Sequence, residues 1–275
     1  MVIAMKIITI FLFICILIFP CAYNAHSEDI VKSELIKKYS PSIALLEKQL
    51  QKKGFKIEHL FSHPKFEIYN SIDSLFINSA EKKALQKGGA LTVKKSFIDE
   101  LEVYKKKIGF ETKIKGISGF VEEYAVQLSL CEEKYGIPKE IITSVIGIES
   151  NFGTITGRHN PFNVYISMYV KNYRRKFAVS QLEELLKFTA KNNQDVFELS
   201  SSYAGAIGYM QFLPYSLNKW FVGDDVYDMN NSIASVANFL SYHKKRRGTL
   251  EKAIYKYNPN KYYVKAVVDL ASYAN

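Results

Sequence analysis

Along most of the chain, apolar residues recur every three or four positions among polar ones, which is the spacing of amphipathic helices. The first helix is predicted to begin at Ser40-Pro41, a typical N-cap followed by proline at the first helical position, and to end at Gly54. Its apolar positions repeat every three or four residues, at Ile43, Leu46 and Leu50. Strict alternation, the pattern of a half-buried strand, is rare, so we predict a mainly α fold.

The same pattern predicts further helices, at Ser79 to Gly88, Ser96 to Gly109 and Gly119 to Gly136. The last has apolar residues at Val121, Tyr124, Leu128 and Cys131. We expect Cys131 to be a buried structural thiol. Longer loops are expected around residues 150–180 and 218–230.

One helix combines an apolar face with an acidic end. Pro138 can start a helix, and Gly153 is a good stop. Its apolar face includes Ile142, Val145 and Ile146. Glu149 lies seven, four and three residues beyond these, so it projects from that face. Desolvation there raises the pKa of a carboxyl group, as a general acid requires near neutral pH. The alternative is a helix-end glutamate paired with a nearby arginine or lysine.

Two later stretches carry candidate ligand-binding groups. In the segment from Ser201 to Ser216, Ser202 and Gln211 are polar residues in an apolar, glycine-containing surrounding that lets a ligand approach closely. The alternative there is a packed helix pair with Gln211 bonded to backbone. The segment from Tyr255 to Tyr263 offers aromatic faces and an Asn amide, which suit sugar rings, although such density is also common in packing.

The order of these three stretches resembles the membrane-bound lytic murein transglycosylase B family. The motifs are Glu-Ser-x-Phe-Gly, then Ser-x-Ala-Gly-Ala-x-Gly-x-x-Gln-Phe-x-Pro, then Tyr-Asn-Pro. The resemblance implies a lysozyme-like helical catalytic core at residues 113–275, preceded by a helical N-terminal portion at residues 28–112. It also implies roles for single residues. Glu149 matches the catalytic acid, and the residues matching those that hold the sugar are Ser202, Gln211, Tyr257, Asn258 and Tyr263.

The resemblance further implies non-hydrolytic cleavage of the β-1,4 bond between N-acetylmuramic acid and N-acetylglucosamine, with one glutamate acting as acid and then as base. Two alternatives stay open, a hydrolytic muramidase and a non-catalytic peptidoglycan-binding envelope protein. The chain departs from the family at Asn163, where Asp is usual. Its loop at residues 223–228 is too short for a calcium loop of about 12 residues. We therefore expect no metal and no cofactor.

The N-terminus and the charge indicate where the protein works. Lys6, a short apolar run and small residues at Ala22 and Ala25 are typical of a secretory signal over residues 1–25. We therefore expect the protein to be exported to the periplasm or cell envelope. We also expect it to be a monomer. Cys21 raises the alternative of a lipidated, membrane-associated form, against which Pro20 argues. The net charge of +10 fits solvated helix faces or an anionic partner. A signal sequence argues against nucleic acid, so peptidoglycan glycan strands are the expected partner.

Overall fold

The computed structural model describes residues 32–72, residue 74 and residues 96–274. Within these ranges the regular structure is helical, and the only β pairing consists of isolated bridges between loop residues. The prediction of a mainly α fold is therefore confirmed. The chain divides into two compact units, one ending at Asn70 and one beginning at Ser71. The domain boundary between residues 112 and 113 stays a prediction.

The first unit contains helix α1, which is described over residues 32–51, and a 3₁₀ helix at Glu58–Ser62. The prediction that a helix begins at Ser40-Pro41 is wrong, because residues 32–40 are already helical. Proline inside a helix leaves the carbonyl four residues earlier without its usual donor. Here the Ser40 hydroxyl lies 2.8 Å from the carbonyl oxygen of Lys37 and supplies that donor.

The second unit is an assembly of helices around a central one. Its α-helices in the described residues are α2 (Phe97–Lys107), α3 (Phe110–Glu123), α4 (Ala125–Tyr135), α5 (Lys139–Ser150), α6 (Pro161–Val170), α7 (Arg175–Lys191), α8 (Pro214–Trp220), α9 (Met229–Arg247), α10 (Leu250–Tyr257) and α11 (Lys261–Ala271). Helix α5 packs against α3, α4, α9 and α11. The candidate acid therefore lies on a helix that packs against four of the nine other α-helices described in this unit.

Two of the predicted helices differ in outcome. Helix α2 is confirmed, with Ser96 as N-cap in a capping box with Asp99. A single helix from Gly119 to Gly136 is wrong, because the chain leaves helical geometry at Tyr124, with φ −107° and ψ 22°. The break lets α3 pack mainly on α5 while α4 packs mainly on α9. Cys131 is buried and free, as expected.

The long loop expected around residues 150–180 is largely wrong, because α6 and the first part of α7 occupy it. All ten residues of α6 are buried. A helix without a polar face has no amphipathic period, so its sequence does not reveal it. The second loop is found in part, between the end of α8 at Trp220 and the start of α9 at Met229.

Some predictions fall outside the part of the chain that the structure describes. These are the signal over residues 1–25, Cys21 and the helix at Ser79 to Gly88. Within the described ranges, no helix combines the length and apolar character needed to cross a membrane.

Candidate active site

Glu149 stands at the carboxyl end of the central helix. Helix α5 begins directly after Pro138, as expected. The predicted apolar face, Ile142, Val145 and Ile146, is fully buried. Because this face packs into the core, the end of the helix is fixed. The Glu149 side chain at that end is half-buried.

The chain turns sharply after Glu149. Asn151, Phe152 and Gly153 are all left-handed, with φ of 50°, 56° and 85°. The prediction that Gly153 stops the helix is corrected, because α5 ends at Ser150 and Asn151 is the left-handed C-cap. The Ser150 hydroxyl oxygen accepts a hydrogen bond from the backbone N–H of Gly153 at 3.0 Å, which closes the turn.

The Phe152 ring occupies a slot that two glycines leave open. A Cβ atom on Gly116 of α3 would lie 2.9 Å from the ring, and one on Gly147 of α5 would lie 2.7 Å from it. The ring also packs against Phe120, with centroids 5.4 Å apart. Phe152 thus fills the space between α3 and α5, which explains the aromatic residue at this place in the motif.

The Glu149 carboxyl group is bound by a tyrosine and does not form an ion pair in the described part of the chain. The Tyr263 hydroxyl donates to Glu149 Oε1 at 2.7 Å. Burial, opposed by this hydrogen bond and by the charge of Lys113, raises the pKa of Glu149 to about 7. The alternative of a helix-end glutamate paired with a cation is therefore not what the structure contains.

Tyr257 connects Glu149 to the second sequence stretch. Its ring stacks on that of Tyr263, with centroids 6.5 Å apart and planes 11° apart. Its hydroxyl donates to the carbonyl oxygen of Met210 at 2.5 Å. Met210 directly precedes Gln211, so the three stretches that the sequence singled out meet at one place.

The second stretch is a loop held by backbone bridges. Ser201 pairs with His159, and Ile207 pairs with Ser201 and Phe212. The packed helix pair considered for this stretch is therefore wrong, because none of residues 201–213 is helical. Its glycines permit close approach, since a Cβ atom on Gly205 would lie 2.3 Å from the Tyr165 hydroxyl.

The predicted polar residues of this loop contact backbone groups. The Ser202 hydroxyl oxygen accepts from the backbone N–H of Ala206 at 3.2 Å. The Gln211 amide nitrogen donates to the carbonyl oxygen of Gly208 at 2.9 Å and to that of Thr156 at 3.4 Å. The backbone bonding considered for Gln211 is thus present, and it ties the loop to the turn after α5.

Asn258 is placed less directly. It is the C-cap of α10, next to Tyr257, and its backbone N–H donates to the carbonyl oxygen of Ile254 at 3.1 Å. Within the described residues, no hydrogen bond joins its side chain to Glu149. Its role in holding a sugar stays a prediction.

Sequence reasoning missed two residues that face Glu149. Lys113 of α3 is buried, and burial lowers its pKa although the charge of Glu149 acts in the opposite direction. Burial, together with the charge of Glu149, raises the pKa of Tyr104 to about 12. The sequence contained one indication of Lys113, because it is the charged residue on a helix face whose other buried residues are apolar. These are Phe110, Ile117 and Phe120.

The acidic residues of the loop before α9 have structural partners. Asp228 caps α9 by accepting from the backbone N–H of Asn231 at 2.8 Å, and Asp225 accepts from that of Tyr227 at 2.8 Å. In the described ranges, no group of three or more His, Cys, Asp or Glu side chains could hold a metal ion.

Comparison with known sequences points to one family. The sequence model described as "Transglycosylase SLT domain" matches residues 73–252. The chain is 30% identical over 147 residues to the membrane-bound lytic murein transglycosylase B of Escherichia coli strain K12. That match covers 51% of this chain and 41% of the relative, so the chain matches about two fifths of the length of this curated relative.

Solved structures share the fold. The E. coli lytic transglycosylase Slt35 in complex with bulgecin A aligns with a TM-score of 0.68 and 19% identity, covering 85% of this chain and 92% of that one. The soluble lytic transglycosylase SltB1 from Pseudomonas aeruginosa gives 0.69 and 21%, covering 85% and 98%. SltB3 from P. aeruginosa in complex with NAG-anhNAM-pentapeptide gives 0.69 and 15%, covering 86% and 79%. These likenesses support the lysozyme-like architecture.

Proposed function

Because the chain belongs to the transglycosylase SLT domain family, we propose that it is a lytic murein transglycosylase. It cleaves the β-1,4 bond between N-acetylmuramic acid and N-acetylglucosamine without water and leaves anhydromuramoyl ends. One observation carries the proposal. Glu149 is a half-buried carboxyl group that titrates near neutral pH and has a tyrosine hydroxyl as its hydrogen-bond partner.

In the first step Glu149 acts as the acid. Its neutral carboxyl group donates a proton to the glycosidic oxygen, and the bond between this oxygen and the anomeric carbon of N-acetylmuramic acid breaks. The acetamido group of the same sugar stabilises the positive charge that develops at this carbon. A carboxyl pKa near 7 suits this step, because a large fraction of the group is protonated at neutral pH and it is still a competent donor.

In the second step the same residue acts as the base. The Glu149 carboxylate takes the proton of the C6 hydroxyl while the C6 oxygen bonds to the anomeric carbon. The ring closes and Glu149 is protonated again, so no proton or water is consumed. Ordinary glycosidases divide these tasks between two carboxyl groups. Within the described residues, no second carboxyl group affects the titration of Glu149.

The surrounding residues hold the sugar and the acid. The Tyr263 hydroxyl orients Glu149 and stabilises its charged form through the 2.7 Å hydrogen bond. Tyr257 and Asn258 contact the sugar from the end of α10, and Ser202 and Gln211 contact it from the opposite loop. The backbone bonds of Ser202 and Gln211 support this assignment, since they fix the loop before a glycan arrives.

The relatives support the substrate and the product. SltB3 has been solved with NAG-anhNAM-pentapeptide and with NAG-NAM-pentapeptide, which are anhydro and non-anhydro forms of a wall fragment. We expect the protein to act in the periplasm or cell envelope of a bacterium, where this substrate occurs. A signal over residues 1–25, a monomeric state and lipidation of Cys21 as the alternative anchor belong to this proposal.

The alternative reaction, hydrolysis by a muramidase, would also begin with proton donation by Glu149. The products separate the two reactions. Mass spectrometry of fragments released from purified sacculi is expected to find anhydromuramoyl ends. Reducing muramic acid ends would show that water attacks the anomeric carbon and would favour the muramidase.

Substitution of the acid tests the proposal itself. Glu149→Gln removes the transferable proton, so release of fragments from purified sacculi should fall by about a thousandfold or more. The matched control is Glu133→Gln, which makes the same chemical change on the exposed surface of α4 and should keep full activity. Substantial activity in a folded Glu149→Gln protein would refute the assignment of the acid.

A further inference from the structure

Lys113 occupies a position that the helix pattern reserves for an apolar side chain. The buried residues of α3 are Phe110, Lys113, Ile117 and Phe120, which lie on the face toward α5. The exposed fraction of Lys113 is 6%. Burying an ammonium group costs free energy unless a partner or an opposite charge compensates for it. A lysine at this position therefore needs a reason that packing does not supply.

The partner of Lys113 is the turn that ends the catalytic helix. Its Nζ atom lies 3.4 Å from Oδ1 of Asn151, and it forms no ion pair with the described carboxylates. Asn151 is itself fixed, because its left-handed backbone ends α5 and its amide donates to the Thr154 hydroxyl at 2.9 Å. Asn151 follows Glu149 by two residues, so this contact holds the ammonium where its charge acts on Glu149.

Resting on the proposed function, we infer that Lys113 is a positioning residue for the reaction. Its buried ammonium, held by Asn151, stabilises the Glu149 carboxylate in the interval between the two proton transfers. In that interval the negative charge sits in a desolvated site beside a positively charged sugar. A fixed cation on the protein keeps the carboxylate available to take the C6 hydroxyl proton.

The other titratable groups that interact with Glu149 do not supply this charge. They are Tyr104 from α2, Tyr257 from α10 and Tyr263 from α11. Their pKa values are raised, so all three are neutral hydroxyls at physiological pH. Among the residues with defined positions, Lys113 is the cation that acts on Glu149.

Charge removal with little change in size isolates this role. Lys113→Met keeps the length of the side chain in an apolar stripe and removes the ammonium, whereas Lys113→Arg keeps the charge. Without the cation, the titration of Glu149 should move up by about one pH unit. The plateau rate on purified sacculi should fall by about tenfold, because the carboxylate is less stable. The alkaline limb of the rate profile should move up together with the titration.

Direct titration gives a readout that a purely structural role would not move. The full chain, labelled with ¹³C at glutamate side-chain carboxyl groups, is titrated by NMR, and Glu149→Gln identifies the resonance. An upward shift in Lys113→Met that Lys113→Arg reverses supports the inference. An unchanged titration in folded Lys113→Met protein overturns it. Failure of the proposed function would appear separately, as activity retained by Glu149→Gln.

Discussion

At the scale of single residues, the Glu149 carboxyl group is balanced between opposing influences. Loss of hydration favours the neutral form, whereas the Tyr263 hydroxyl and the Lys113 charge favour the carboxylate. The result is a pKa of about 7, which lies where both protonation states are accessible at neutral pH. Under the proposed mechanism, in which Glu149 gives and then takes a proton, this balance matters more than strong acidity.

The same balance makes Glu149 costly for stability. Its pKa is raised from 4.5 in a solvated chain to about 7 in the folded protein. The folded state therefore loses stability as pH rises from 4.5 to 7, up to about 3 kcal/mol above that window. Glu149→Gln, which cannot ionise, should unfold at a higher temperature than the parent at pH 8, and the gap should shrink at pH 5. An equal gap at both pH values, measured by circular dichroism, would contradict the burial of this carboxyl group.

Sequence reasoning identified Glu149 but not its electrostatic partner, and the reason is physical. The position of Glu149 follows from helical spacing within its own segment, which is a local property. The contact of Lys113 with Asn151 joins residues 38 positions apart on different helices, and spacing within one segment does not encode it. The buried stripe of α3 contained a hint, but one lysine in such a stripe also fits a side chain that reaches solvent.

At the scale of helices, the end of α5 is shaped by its neighbour. Phe152 lies against Gly116 of α3 and Gly147 of α5, and these glycines provide the space for its ring. Because Phe152 follows Glu149 by three residues, the packing of α3 on α5 controls where the acid stands. The two helices and the turn therefore act as one unit in positioning the carboxyl group.

Two glycines in α3 test this packing against a matched background. In Gly116→Ala the new methyl group would lie 2.9 Å from the Phe152 ring, so the gain in helix propensity should be outweighed by strain. In Gly119→Ala no atom lies within 4 Å, so the protein should gain about 0.5–1 kcal/mol. Thermal unfolding should separate the two variants by about 4–8 °C. Equal melting temperatures would show that the slot is not tight.

Helices were predictable where one face is polar and were missed where that contrast is absent. Helix α2 shows its start through Ser96 and its capping box, and both signals are local. Helix α6 lacks a polar face, so its sequence pattern does not predict a helix. The sequence pattern shows no break at Tyr124. The break follows from tertiary packing, since α3 and α4 pack mainly on different helices.

At the scale of the whole molecule, 37 basic residues against 27 acidic ones leave a net charge of +10. Many basic side chains are exposed, among them the run from Lys245 to Arg247 at the end of α9. Peptidoglycan carries carboxylates on its peptides, so under the proposed function a cationic surface would attract the polymer before a glycan strand reaches Glu149.

This attraction should respond to salt. The Glu149→Gln variant, which should leave the polymer intact, is expected to bind purified sacculi several-fold more weakly in 0.5 M than in 0.05 M NaCl. Screening shortens the range of exposed charges to within about 10 Å already at 0.1 M salt. Binding to chitin, a neutral glycan, should change little and serves as the control. Sedimentation measures binding to sacculi and to chitin. An equal effect of salt on the two would show that surface charge does not contribute to binding of sacculi.

The turn Glu-Ser-Asn-Phe-Gly ties neighbouring residues to distant parts of the chain. Glu149 contacts Tyr263, 114 positions later, and Asn151 contacts Lys113, 38 positions earlier. Gly153 leaves room for Met229, since a Cβ atom there would lie 2.6 Å from the methionine methyl group. Four of the five residues of this motif, including Phe152, therefore contact residues that are distant in the sequence. Grafting this motif onto another helix would transfer its five residues without their long-range contacts. The transplanted glutamate should then have the pKa of an ordinary solvated carboxyl group.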